Sequence, residues 1–306
     1  MDLDTGAASH EPTVTPAAAE DSPLSMTTAE PTEVSAPHVP LDTAAPPERA
    51  RQFVYAIGRI DARFPSLSIE KEFSQATGRA ETASLTNSQA AQSVLSDPAN
   101  RYLARRICWV LTIEGMDTYL LVPHDETDLD LLLGALRPSP SRSDTDVAIG
   151  TLGPLAPSEK CGGLVVPMVV FDQIYSFDTE SFIAQIPSPD GVDAGAFQEI
   201  AGELFARVTQ LADNAGNSDE HRALNYLTMR YPEIYAETAR QHARNSSLTN
   251  VEAFPSPLSS VRTVITTVFT YTHRSTNFVE KFAAQVDTTE VFPFLAIPGF
   301  NSYYDH

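Results

Sequence analysis

The sequence predicts an α+β fold. We expect a mixed or antiparallel sheet with packed helices, in two subdomains, behind a disordered N-terminal tail. Three observations lead there. Residues 1–48 are rich in proline and acid and contain no Lys, Arg or aromatic residue. Apolar residues then recur with helical spacing between Phe197 and Tyr231, and from Val251 onward the period switches to two, the spacing of strands.

The tail holds eight prolines and nine acidic residues. It has too little apolar surface to offset the entropy of ordering, so residues 1–50 are expected to be disordered. The nine acids leave a net charge of −11, out of the chain's −20, on the remaining 258 or so residues. That length can bury a substantial core. The acidic balance argues against nucleic acid and anionic membrane as partners. Arg101, Arg105 and Arg106 read as the solvated face of a helix.

Order is expected to begin near Arg51. Phe53, Tyr55 and Ile57 alternate along a strand, and Leu67, Ile69 and Phe73 mark a helix that Ser68 could cap. Further helices are expected over Ser88–Leu95 and Pro98–Arg106, the latter with proline in its first turn. Cys108–Asp125 splits at Glu114-Gly115 into a hairpin, and Leu129, Leu132, Leu133 and Leu136 define a helix. These elements make a first subdomain over 51–137. A central β segment follows over 138–180, with Pro167 placed at a strand end or bulge. The third part, 181–306, opens with the amphipathic helix Phe197–Leu211. A second helix starts at a Ser218 cap and is interrupted at Pro232. Two long strand-like runs complete it, joined by a hairpin loop at Arg274–Asn277.

The N-terminus lacks the basic-then-apolar pattern of a secretory signal, and no apolar run approaches the roughly 20 residues that span a bilayer. The two cysteines, Cys108 and Cys161, form no CxxC pair, so neither a disulfide framework nor a zinc knuckle is expected; a reducing, cytoplasmic setting is the default. P-loop, GxGxxG, HExxH and GxSxG motifs are absent.

Four groups of residues could carry chemistry. Asp172 and Asp178 flank the end of an apolar run, where a carboxylate can serve as acid or base or simply solvate the strand end. His273 and Arg274 could hold a peptide carboxylate or stabilise an oxyanion, or else pin a turn. Cys161, beside Lys160, could be a nucleophile, or a zinc ligand together with His221, His242 or His273, although no ligand spacing supports a metal and no cofactor is expected. The aromatic stretch Phe292, Phe294, Tyr303 and Tyr304 could dock a peptide or a second subunit, or seal the core.

Several long blocks resemble a known family. FVYAIGRI (Phe53–Ile60), CGGLVVPMVVFDQIYSFD (Cys161–Asp178), ALNYLTMRYPEIY (Ala223–Tyr235), SSLTNVEAFPSPLSSVR (Ser246–Arg262), FTYTHRST (Phe269–Thr276) and VDTTEVFPFL (Val286–Leu295) are similar to the C-terminal accessory region of PatG-type cyanobactin maturation proteins. The resemblance implies a place in the biosynthesis of ribosomally made, modified peptides. In that family the region follows a subtilisin-like protease that also macrocyclises the peptide, and some members carry an oxidase domain. This chain shows no Asp, His and Ser blocks of a subtilisin triad and no oxidase domain, so neither activity carries over. The expectation is a freestanding accessory module that binds a precursor peptide or a partner enzyme, as a homodimer. The alternative is a peptide-modifying enzyme built on Asp172, His273, Arg274 and Cys161, which would require at least three of these in one pocket.

Overall fold

A computed structural model of the chain describes residues 51–79, 87–211, 213–257 and 259–304. The tail over 1–50 lies outside the described residues. The chain from Arg49 onward forms one compact unit. It has the expected α+β character, built from a small closed barrel, a layer of helices and a four-stranded antiparallel sheet.

The barrel takes strands from both the 51–137 and the 138–180 stretches. These are β1 (Phe53–Arg63), β2 (Cys108–Ile113), β3 (Met116–Val122), β4 (Asp144–Leu155) and β5 (Pro167–Asp178), closing in the order β1-β2-β3-β5-β4. All pairs are antiparallel except β3–β5. Glu114 and Gly115, both at positive φ (51° and 76°), make the tight turn from β2 to β3. At Gly150 the β4–β5 register shifts, and a Cβ there would overlap the Val170 carbonyl oxygen, so the bend needs glycine. Pro167 opens β5, where its missing N–H costs no ladder bond.

The alternation in β1 decides which core each residue joins. Val54, Ala56 and Ile60 face Trp109, Leu111, Leu121 and Phe171 in the barrel core. That core is closed by α1 (Leu67–Arg79), α2 (Asn87–Ser96), a 3-10 turn at Pro98–Asn100, α3 (Arg101–Arg106) and α4 (Leu129–Ala135). Ser66, rather than Ser68, sits at the start of α1: its Oγ lies 3.5 Å from the Ile69 N–H, and its carbonyl accepts from Glu70 N at 3.1 Å. Tyr55 and Ile57 point the other way, with Val147 and Ile149, onto a second core shared with the later helices and the C-terminal sheet.

Those helices are α5 (Thr179–Ala184), α6 (Ala194–Thr209), α7 (Asp219–Arg230) and α8 (Glu233–Ala243). Ser218 caps α7 as expected, its Oγ accepting from His221 N at 3.1 Å, and Pro232 separates α7 from α8. Asn214 and Asn225, 5% and 0% exposed, exchange side-chain hydrogen bonds of 2.8 and 3.2 Å. Asn225 Nδ2 also donates to the Tyr55 carbonyl at 2.8 Å, which ties α7 to the barrel.

Each of the two long runs expected at the C-terminus divides in two. The strands are β6 (Ser246–Pro255), β7 (Val264–His273), β8 (Val279–Asp287) and β9 (Phe294–Ser302), in the spatial order β6-β7-β8-β9. The hairpin at Arg274–Asn277 is present, with Asn277 at φ 56°. Ile265, Phe269, Tyr271, Ala284 and Val286 pack one face of this sheet against α6–α8. The opposite face looks outward.

Candidate functional site

The aromatic residues singled out at the C-terminus lie around β9, but at its two ends. Phe292, in the β8–β9 connection, and Phe294, the first residue of β9, are 47% and 39% exposed. The Arg262 guanidinium stacks 5.1 Å from the Phe294 ring centre while its Nε bonds the buried Asp287 carboxylate at 2.7 Å. At the far end, Tyr304 is 73% exposed and Tyr303 packs edge-on against Phe254 at 6.4 Å. Exposed Phe278 and Val279 extend that end, and Ile297 bridges the two clusters.

The two sheet edges differ. At β6 the Arg207 guanidinium, projecting from α6, donates to the Leu248 and Thr249 carbonyls at 2.5 and 2.9 Å, occupying outward backbone groups at the bulge. Among the described residues nothing pairs with the outer edge of β9. Alternate N–H and C=O groups there face away from β8, interrupted at Pro298. Two grooves flank this edge on the outer face. One, of about 480 Å³, runs past Phe254, Thr266, Gln285, Ile297 and Tyr303; the other, of about 410 Å³, lies among Phe278, Val279, Lys281 and Tyr304.

His273 and Arg274 sit together in the β7–β8 turn, and their contacts are those of a turn. His273 Nδ1 faces Ser275 N and Oγ at 3.3 Å and Thr276 Oγ1 at 3.0 Å, and Arg274 Nε donates to Ser247 Oγ at 2.6 Å. Asp178 caps α5, accepting from Ser181 N at 2.8 Å; bonds from Ser143 and Ser181 hold its carboxyl below the usual carboxylate range. Asp172 is exposed on β5 and pairs with His124 Nε2 at 3.3 Å. His124 carried no signal in the sequence, because 48 residues separate it from Asp172. The pair stands beside a cleft of about 400 Å³ lined by Trp109, Leu121, Leu129 and Lys160.

Cys161 requires a correction. It is joined to Cys108 by a disulfide, with Cα atoms 5.9 Å apart, so it offers no thiolate as nucleophile or zinc ligand. The bond also removes cysteine usage as an argument for a reducing, cytoplasmic setting. His221 lies in the first turn of α7, where burial pushes its imidazole pKa down. Among the described residues no three His, Cys, Asp or Glu side chains converge as metal ligands. Asp172 and Cys161 belong to the barrel and His273 and Arg274 to the C-terminal sheet, and among the described residues none of the five main cavities is lined by three of the four. No described helix is long and apolar enough to cross a membrane.

No curated protein matches the chain. A solved structure described as a PatG domain of unknown function shares its fold with a TM-score of 0.64 at 19% identity, over 82% of this chain and 98% of that one. The family model described as PatG Domain matches residues 53–254, from the first residue of β1 to near the end of β6. Since that match takes in well over half of the sequence, the chain belongs to the PatG domain family.

Proposed function

We propose that the chain is an accessory binding module in the biosynthesis of ribosomally made, modified peptides of the cyanobactin type. It would hold an extended segment of a precursor peptide, or of a maturation enzyme, along the β9 edge. One observation carries this reading: β9 is an unpaired edge flanked by exposed Phe292, Phe294, Ile297 and Tyr304, whereas on the β6 edge Arg207 occupies the Leu248 and Thr249 carbonyls. An added strand gains main-chain hydrogen bonds from such an edge, and side chains lodging in the flanking grooves give selectivity. The peptide-modifying alternative loses Cys161 to the disulfide, and Asp172 lies on the barrel, apart from His273 and Arg274 on the C-terminal sheet.

The test is calorimetric titration of the full chain with the precursor peptide encoded beside its gene, followed by mass spectrometry of the recovered peptide. Binding without a mass change, weakened at least tenfold by Ile297→Lys, supports the reading. A mass change would establish an enzyme instead. Concentration-dependent dimerisation abolished by the same variant would assign the edge to a second copy of the chain.

A further inference from the structure

A pocket of about 130 Å³ lies away from β9, where α6, α8 and the start of β6 meet. Its polar lining is Glu203 and Arg207 of α6, His242 of α8, Ser246 of β6 and Arg274 of the β7–β8 turn; Ile200, Leu204 and Leu248 supply an apolar wall. Both guanidiniums are held in place by neutral acceptors. Arg207 spends its two terminal nitrogens on the Leu248 and Thr249 carbonyls. Arg274 donates Nε to Ser247 Oγ at 2.6 Å, and its backbone N–H bonds the Asn245 carbonyl at 2.9 Å. Among the described residues neither guanidinium forms an ion pair, so no carboxylate contact neutralises the charge they bring. With Nε taken, Arg274 keeps its Nη1–Nη2 end, a fork that meets a carboxylate with two parallel bonds. In the same pocket Ser246 is 5% exposed, and its hydroxyl makes no hydrogen bond among the described residues.

We infer that this pocket binds a carboxylate on a short aliphatic stem, either the C-terminus of a peptide or a small free acid. Charge selects the class. Two guanidiniums against the single Glu203 carboxylate leave one net positive charge, before any contribution from His242, and a monoanion balances it. A phosphate dianion would leave excess negative charge beside Glu203, and an ammonium would add to the positive charge already there. The Arg274 fork and the Ser246 hydroxyl supply donors for the two oxygens, while Ile200, Leu204 and Leu248 cover the stem. The volume is near the ~150 Å³ that holds one benzene-sized molecule, which limits the stem to a few carbons. β6 and β9 are opposite edges of the sheet, so the inference stands apart from the edge reading above.

The test is titration of the full chain with butyrate, followed by NMR, with butyramide and inorganic phosphate as controls. The expected result is saturable shifts at Leu204, Ser246 and Arg274 with butyrate, none with butyramide, and weaker binding of phosphate. Arg274→Gln removes the fork and should weaken butyrate binding at least about tenfold. Glu203→Gln removes the opposing charge and should tighten it about threefold. Both positions are exposed, so both variants keep the fold. N-acetyl-alanyl-valine, as the free acid and as the C-terminal amide, separates the two sources. Binding of the acid alone assigns the pocket to a peptide C-terminus; binding of butyrate but of neither dipeptide form assigns it to a small free acid. No shift with butyrate, equal shifts with butyramide, or unchanged affinity in Arg274→Gln would overturn the inference. Phosphate bound as tightly as butyrate would overturn the choice of a carboxylate, and butyrate shifts confined to β9 would overturn the pocket.

Discussion

The Arg222 guanidinium, 2% exposed in α7, donates to the Thr288 carbonyl oxygen at 2.6 Å. It also bonds the Glu290 carbonyl and the Asp219 carboxylate, the latter at 2.9 Å, and stacks 5.2 Å from the Phe53 ring centre. One side chain thus fixes the β8–β9 connection, which presents Phe292, to the helical layer. Arg222→Met should destabilise the fold by about 2–4 kcal/mol, because buried carbonyls lose charged donors. Urea denaturation checks this, and the variant should also weaken binding at the β9 edge.

Gly216 sits at φ 73° against β1, its carbonyl accepting from Tyr55 N at 2.8 Å. A Cβ there would overlap the Tyr55 carbonyl oxygen. Gly216→Ala should therefore cost more than the ~1 kcal/mol of an unfavourable φ alone, since the 213–217 loop must lift from the barrel. Thermal unfolding measures it. In the same region, a double-mutant cycle on Asn214→Ala and Asn225→Ala should return a coupling of about 1–3 kcal/mol.

The Cys108–Cys161 bond closes a span of 53 residues. Chain-entropy arguments put its stabilisation at about 4 kcal/mol as an upper figure. The protein isolated without reductant should show no reactive thiol in denaturant, and the Cys108→Ala/Cys161→Ala variant should lower the denaturation midpoint without changing the fold.

His221 gives stability a pH dependence of known sign. Burial lowers its folded pKa below the unfolded value near 6.5, so between the two values the unfolded chain binds more protons. Its contribution is complete above pH ~6.5 and is lost as pH falls through that value toward the folded pKa. The stability-versus-pH slope below neutrality should flatten in His221→Gln, measured by denaturant midpoints from pH 7.5 to 5.

Local chemistry made much of the fold readable. The alternation in Phe53–Ile57, the Glu114-Gly115 turn, the Ser218 cap and the Pro232 break each act within a few residues, and each is present. Barrel closure was hidden because the parallel β3–β5 pairing joins Leu120 to Met168 with no local mark. The disulfide and the His124–Asp172 pair were hidden for the same reason, both being products of topology. The helix α5, Thr179–Ala184, is too short to show a period. Around the candidate site, the density of aromatic residues was visible in the sequence. Which strands form the edges of the sheet was not, nor that Arg207 reaches across from α6 to the Leu248 and Thr249 carbonyls of β6.

The most direct test of the edge account is hydrogen exchange of the full chain with and without saturating precursor peptide. The account predicts slowed exchange over Phe294–Ser302 in β9, with β6 unchanged. Protection confined to the cleft beside His124, or no protection anywhere despite bound peptide, would contradict it.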